Sequence, residues 1–297
     1  MVAIPLSLRF LAVLLALFAT PAAALERGPL ESDARPWSAL GRVNAGGRAY
    51  CSGVLVGRAL ALTAAHCVYD FRNRRWWAAA DVSFVAGYLR GAWVATAKAT
   101  RVIRDPDVKL VDRHPLLSAV PADWALIELA EPIGDRAGWL PLLRAAPPAV
   151  GDLVLQAGYR RDRPYAPELS PPCRMLDAPL GLLFHDCVVP EGGSGSPLLG
   201  VDASGGLTVL GVHSAQVHRS IAGGPVKIFS AVVPAATFAG RVPQRPAPPL
   251  PAESLRRALS SLEGGQAELK DLDLESLIRS LYLLREIEPP KIAPETR

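Results

Sequence analysis

Cys51-Ser52-Gly53-Val54-Leu55-Val56-Gly57, followed after two residues by Leu60-Ala61-Leu62-Thr63-Ala64-Ala65-His66-Cys67, is the stretch that decides how this chain folds. Two apolar runs too short for ordinary helices, Tyr50–Val56 and Leu60–Thr63, meet across a glycine and read as a tight pair of antiparallel strands. A histidine follows the second strand at once and stands beside a cysteine, which is a rigid mounting for an imidazole. A lone histidine is more often structural than reactive, so His66 gains weight only from partners elsewhere in the chain.

Working outward, further short apolar runs succeed one another with Gly, Pro and Asp between them: Val82–Ala86, Trp93–Ile103, Trp124–Leu129, Leu153–Tyr159, Ser196–Val201, Leu207–Val212 and Ile228–Val233. Many short strands without long intervening helices predict an all-β sandwich or barrel. No repeat recurs at a fixed period of 20–50 residues. The chain has 297 residues, half of them hydrophobic and 20% charged, so it is globular and long enough for about two domains. Its 32 Lys and Arg against 28 Asp and Glu leave +4, with no basic run or basic-aromatic stripe, and no nucleic-acid partner is expected.

The two ends read differently. Arg9 is the one charge of the first 24 residues; it precedes the apolar stretch Phe10–Phe18, Pro21 and Ala22–Ala24. This has the layout of a secretory signal peptide cleaved after Ala24, and its apolar core is too short to span a bilayer. No later segment has 18 uncharged apolar residues, so the mature chain is expected to be secreted or periplasmic with no membrane span. At the other end, Arg241–Pro251 holds five prolines in eleven residues and reads as a stiff linker. Beyond it Leu255, Leu259 and Leu262, then Leu274, Leu277, Ile278, Leu281 and Leu284, recur at helical spacing around Gly264-Gly265. The expected organisation is a signal peptide over 1–24, a β domain over 25–240, a linker over 241–253 and a helical tail over 254–297. That tail either packs on the β domain through its leucine stripes or serves as a regulatory or partner-binding appendage.

Export implies an oxidising compartment, and four cysteines allow three pairings. Cys51 and Cys67 flank the tight strand pair, while Cys173 and Cys187 enclose a Pro-rich loop, so pairing within each set is the economical choice. Neither C-x-x-C nor H-E-x-x-H occurs, and no metal site is expected.

Two partners for His66 are available. Asp123 opens a mostly apolar run, Asp123-Trp124-Ala125-Leu126-Ile127-Glu128-Leu129; a carboxylate buried there can accept the Nδ1–H of an imidazole and stabilise its protonated form. Ser194 lies in Glu191-Gly192-Gly193-Ser194-Gly195-Ser196-Pro197, where glycines allow sharp turning and successive N–H groups can converge on an oxyanion. Taken together, T-A-A-H-C at 63–67, D-x-A-L-I-x-L at 123–129 and G-x-S-G-S-P at 192–197 resemble the trypsin/chymotrypsin-like serine proteases over roughly residues 35–240. The order His, Asp, Ser is also that of this family.

The resemblance implies two packed six-stranded antiparallel β-barrels and a triad of His66, Asp123 and Ser194. It further implies an oxyanion hole at Gly192 and Ser194, a substrate-pairing strand at Ser214, Ala215 and Gln216, and protein or peptide substrates cleaved without a cofactor. The digestive members carry G-D-S-G-G-P; Gly193 replaces their acidic residue, so activation by an ion pair to a newly cut N-terminus is not expected. The G-x-S-G-S-P form and the lead Asp33–Val43 look more like secreted bacterial members, similar to the glutamyl endopeptidases. Val188 stands where basic-specific members carry Asp, which disfavours Arg or Lys in the specificity pocket. Gly211-Val212-His213-Ser214 resembles the glutamyl endopeptidase G-I-H-x, so His213 beside Val189 is expected either to meet a substrate carboxylate or to line an apolar pocket. Two alternatives stand beside the protease: a catalytically silent binding module of the same fold, and an esterase of another fold. The second is weakened by Pro197 and strand-like residues after Ser194, where a helix would be required.

Overall fold

Alternating burial builds the first half of the chain. In Val82–Ala86 the side chains of Val82, Phe84 and Ala86 are buried while those between are half-exposed, and Ala95–Ala99 repeats the pattern against exposed Thr96 and Lys98. The computed structural model describes residues 28–47, 49–110, 117–144, 146–176, 179–201, 206–219, 227–243 and 252–260. The expected signal peptide, most of the expected linker and the expected second tail helix therefore lie outside the described residues. In chain order the strands are β1 (Gly28–Pro29), β2 (Leu40–Ala45), β3 (Ala49–Gly57), β4 (Leu60–Thr63), β5 (Tyr69–Asp70), β6 (Arg75–Trp76), β7 (Val82–Ala86), β8 (Ala95–Arg104), β9 (Ala125–Leu129), β10 (Leu153–Gly158), β11 (Glu168–Leu169), β12 (Cys173–Arg174), β13 (Leu183–His185), β14 (Pro197–Val201), β15 (Leu207–Arg219) and β16 (Lys227–Pro234). Two short α-helices, α1 (Gly134–Ala137) and α2 (Ala252–Ser260), complete the described elements with a few 3₁₀ turns.

Six strands close into an antiparallel barrel in the order β2-β3-β4-β9-β8-β7. Phe84, fully buried, fills it because Gly41 and Gly53 leave room: a Cβ on either would stand 2.4 or 3.0 Å from the phenyl ring. The second half is an eight-stranded sheet, β1-β11-β10-β14-β15-β16-β13 with β12 also on β10. In place of a second continuously hydrogen-bonded six-stranded barrel, the β12 branch and β13 meet at a single bridge, Met175 to His185. Two flanking backbone bonds support that bridge, Leu176 N–H to the Phe184 carbonyl at 2.8 Å and Asp186 N–H to the Arg174 carbonyl at 3.2 Å. Chain order supplies the reason: β12 and β13 are two and three residues long, so neither can carry a full ladder.

Both disulfides pair as expected, Cys51 with Cys67 and Cys173 with Cys187, at Cα separations of 5.8 and 5.1 Å. The strands expected from sequence are present with ends shifted by one or two residues, except that β15 continues seven residues past Val212. Strand β2, with Gly41, Arg42 and Asn44 in six residues, lacks an apolar run and was absent from the expected set. Helix α2 carries the first leucine stripe: Leu255, Ala258 and Leu259 are buried in the main core, and Trp37 Nε1 donates to the Ser254 carbonyl at 3.4 Å. No helix among the described residues is long and apolar enough to cross a membrane.

The two halves are joined by polar and aromatic contacts. The Ser52 hydroxyl in β3 accepts the Tyr159 N–H at 2.8 Å and lies 3.2 Å from the Gly192 carbonyl, and the Ser52 N–H donates to the Ser194 carbonyl at 2.9 Å. Trp124, fully buried at the start of β9, packs its ring 5.6 Å from that of Phe238.

Candidate active site

Ladder register brings His66 and Asp123 together. Thr63 at the end of β4 pairs with Ala125 at the start of β9, so the residues just after one strand and just before the other share one corner of the barrel. A 3₁₀ turn over Ala65–Val68 presents His66, closed by the Tyr69 N–H on the His66 carbonyl, and Cys67 clamps the turn to Cys51 in β3. Asp123 follows a second 3₁₀ turn and is fully buried. Its Oδ2 lies 2.7 Å from His66 Nδ1, and its Oδ1 accepts the His66 backbone N–H at 2.8 Å. Ser214 Oγ also donates to Oδ2, at 2.5 Å. A buried carboxylate with three donors is stabilised in its charged form.

Burial alone would raise the Asp123 carboxyl, but the charge and hydrogen bonds of His66 and the Ser214 hydroxyl hold it below the usual carboxylate range. Burial alone would lower the His66 imidazole; the charge and hydrogen bond of Asp123 outweigh it and leave His66 raised above its ordinary value. The imidazole is thereby held with Nδ1 toward Asp123 and Nε2 directed away from it.

Ser214 reaches Asp123 because β15 bulges there. The register against β16 runs from His213 opposite Val232 to Ala215 opposite Ala231, leaving Ser214 as the extra residue whose side chain is re-aimed. Pairing between β15 and β14 ends at Val212 opposite Pro197, so from Ser214 onward β15 has a strand neighbour only in β16 among the described residues. An unpaired strand edge of this kind accepts an extended peptide.

Ser194 is the second residue of the latter of two consecutive turns, which share Gly193. The Gly193 N–H bonds to the Pro190 carbonyl at 2.9 Å and the Ser196 N–H to the Gly193 carbonyl at 3.0 Å. The third residue of each turn is a glycine in the left-handed region, Gly192 at φ +94° and Gly195 at φ +79°, as type II turns require. Gly195 also has no room for a side chain: a Cβ would lie 2.2 Å from Thr63 Oγ1, 2.4 Å from the Ser52 carbonyl and 3.1 Å from the Ala64 nitrogen. The Gly195 N–H bonds the His213 carbonyl at 2.9 Å. Ser194 is thus wedged between the strand leading to His66 and the strand carrying Ser214. Among the described residues its hydroxyl makes no hydrogen bond, and neither the Gly192 nor the Ser194 N–H has an acceptor.

The remaining expected residues are split. Val189 is buried while Val188 is 68% exposed, so Val188 does not form a buried pocket floor. His213 is buried with its ring centroid 6.4 Å from that of His185, at a steep angle. Gln216 Nε2 donates to the Val189 carbonyl, tying β15 to the segment before Ser194. His185, Gln216 as a tie, Gln156 and Ser196 were not singled out from sequence by these contacts; the departure of Ser196 from the digestive pattern was the one signal. Among the described residues, Cys51, His66 and Cys67, and likewise Cys173, His185 and Cys187, cluster closely enough to hold a metal ion, but in each group both sulfurs are engaged in a disulfide.

A family model described as Trypsin matches residues 28–172, a stretch that includes His66 and Asp123 and ends before Ser194. Solved structures with the same fold include a Glu endopeptidase at 19% identity and TM-score 0.56, covering 81% of this chain and all of that one. A scabies mite inactivated protease paralogue, S-D1, aligns at 17% identity and TM-score 0.53, covering 72% of this chain and 94% of that one. Protease Anisep from Arthrobacter nicotinovorans aligns at 17% identity and TM-score 0.52, covering 73% and 98%. No protein of curated function matches the chain in sequence. The chain thus has the trypsin/chymotrypsin-like fold, and its residues 28–172 match the Trypsin family.

Proposed function

We propose that the protein is a serine endopeptidase, secreted or periplasmic, that hydrolyses peptide bonds through Ser194, His66 and Asp123. The observation that carries this reading is the buried Asp123 carboxylate on His66 Nδ1 at 2.7 Å. An imidazole oriented in this way and raised by its carboxylate has the groups a general base requires. In this mechanism Ser194 Oγ attacks the scissile carbonyl as His66 Nε2 takes its proton. The Gly192 and Ser194 N–H groups receive the developing oxyanion, and the leaving amine takes the proton back from His66. Water then repeats the sequence on the acyl-enzyme. The Ser194 to His66 hydrogen bond is absent in the free site, as is common before substrate closes it. The open edge of β15 at Ser214–Gln216 pairs with the substrate backbone, and the side chain before the scissile bond lies among Val189, His213 and Val188 at the rim. With no carboxylate at Val188 or Val189, Arg and Lys are disfavoured. Two disulfides and the signal-like leader support export.

A second reading, a catalytically silent module of the same fold, is favoured by the Gln216 to Val189 bond, which ties together the two walls that flank a substrate side chain. A fluorophosphonate probe separates the two. The expected outcome is one covalent adduct on Ser194, abolished in Ser194→Ala together with peptide hydrolysis, a loss on the order of 10⁶ in kcat. An unlabelled, folded wild-type protein selects the silent module.

A further inference from the structure

Both N–H groups assigned to the oxyanion belong to peptide planes whose opposite faces are held. In a trans peptide the carbonyl and the following N–H point in opposite directions, so gripping one aims the other. The Glu191 carbonyl, in the plane of the Gly192 N–H, accepts the Arg161 N–H at 2.7 Å. The Gly193 carbonyl, in the plane of the Ser194 N–H, accepts both the Ser196 N–H at 3.0 Å and the Ser196 hydroxyl at 2.5 Å. Having donated its proton there, the Ser196 oxygen still accepts, and it takes the Gln156 side-chain amide. Gln156 is itself fixed in β10: its N–H donates to Ser170 Oγ at 2.9 Å, and its carbonyl accepts the Ser170 N–H at 2.8 Å. Gln156 and Ser196 are fully buried and Ser170 nearly so.

We propose that Gln156 and Ser196 are positioning residues that lock the Gly193-Ser194 peptide and so preform the anion-binding N–H of Ser194. Gly193 has no carboxylate to be drawn into place by a new chain end, and no side chain fits there: a Cβ would stand 2.4 Å from Val189 Cγ1. The amide-hydroxyl-carbonyl chain supplies the same constraint from within β10, without any cut in the protein. Turning the Gly193-Ser194 plane would strand the Gly193 carbonyl and the Ser196 hydroxyl in a dry interior, where unmade hydrogen bonds are costly.

This inference rests on Ser194 as nucleophile, and the test keeps the two apart. In the full mature chain, Ser196→Ala should lower kcat roughly 10- to 100-fold, below the loss for deleting a whole oxyanion donor, with KM within about twofold. Affinity for a peptidyl trifluoromethyl ketone, which forms a tetrahedral adduct, should fall by the same factor, while affinity for a product-like peptide acid should not. The ¹⁵N amide resonances of residues 192–195 should broaden or double. The double variant Gln156→Leu, Ser196→Ala removes both partners of the amide–hydroxyl bond; relative to Ser196→Ala it should regain thermal stability while kcat stays low. Unchanged kcat with sharp, single amide resonances in Ser196→Ala overturns the inference, as does recovery of kcat along with stability in the double variant. If wild type fails to label with fluorophosphonate, the nucleophile reading falls and the amide resonances alone decide whether the lock exists.

Discussion

The closed barrel and the eight-stranded sheet hold their parts of the site by different means. His66 and Asp123 are placed by the β4-β9 ladder, where several backbone pairs enforce one register, and a disulfide fixes the histidine turn to β3. Ser194 belongs to no strand. It is placed by two glycine turns, by the Arg161 and Ser52 backbone bonds and by the Gln156-Ser196 chain. A ladder is redundant, so single side-chain changes leave its geometry standing; a looped segment depends on each contact that holds it. Substitutions on the first side should therefore remove chemistry with little disturbance of structure, and substitutions on the second should disturb structure and chemistry together.

The largest effect that sharpens this contrast is Asp123→Asn. The side chains are nearly isosteric and the ladder keeps the corner in place, but an amide cannot hold the imidazole in the required tautomer or stabilise its protonated form. Activity should fall by about 10⁴, with a circular dichroism spectrum and a disulfide pattern like wild type. A variant that unfolds instead would show that the corner depends on the charge pair and not on the register.

How much of this was legible beforehand follows the same division. In the first barrel β7 and β8 alternate and β3, β4 and β9 are apolar runs, so all its strands but β2 can be read, and His66 and Asp123 announce themselves by standing at strand ends. In the second half the β15 extension through His213–Arg219 is hidden because Ser214, Gln216, His218 and Arg219 interrupt any apolar run, and β12 and β13 are too short for any pattern. The Ser214 to Asp123 and Gln156 to Ser196 bonds join residues 91 and 40 positions apart. Nothing local in either segment signals such a contact: the first exists only once the barrel meets the sheet, and the second only once β10 pairs with β14. The leucine stripe of α2 was readable as needing burial, whereas its site against Trp37 was not.

Trp124→Ala tests whether the two halves are separable. The indole is fully buried, lies against Phe238 and has the Arg241 guanidinium 5.1 Å from its ring centre. Truncation should cost about 3–5 kcal/mol, read as a lowered denaturant midpoint. If the halves support one another, the transition stays single. Two resolved transitions would mean that the closed barrel stands alone and that the contrast between the halves extends to their stability.

The smallest and most diagnostic effect is the dependence on pH. Only neutral His66 can act as base, so kcat/KM should rise with pH through a midpoint above the ordinary imidazole value of about 6.5, because Asp123 raises His66 against the opposing pull of burial. The same shift sets a stability trend of opposite sign. A group whose pKa is raised on folding contributes stability that is fully present below its unfolded value and is lost as pH rises through the folded one. Between about 6.5 and the folded midpoint, then, kcat/KM should climb while the His66 contribution to stability declines. Asp123, lowered on folding, gives its share above the ordinary carboxylate value of about 3.9, and that share is lost as pH falls through the folded one. In Asp123→Asn the charge that raised His66 is gone and burial remains. The midpoint of the residual activity should drop below about 6.5, and the His66 contribution should then rise with pH between that lowered midpoint and about 6.5, with the decline above about 6.5 gone. A rate midpoint unmoved in Asp123→Asn would show that a group other than His66 controls the profile, which removes His66 from the role of base.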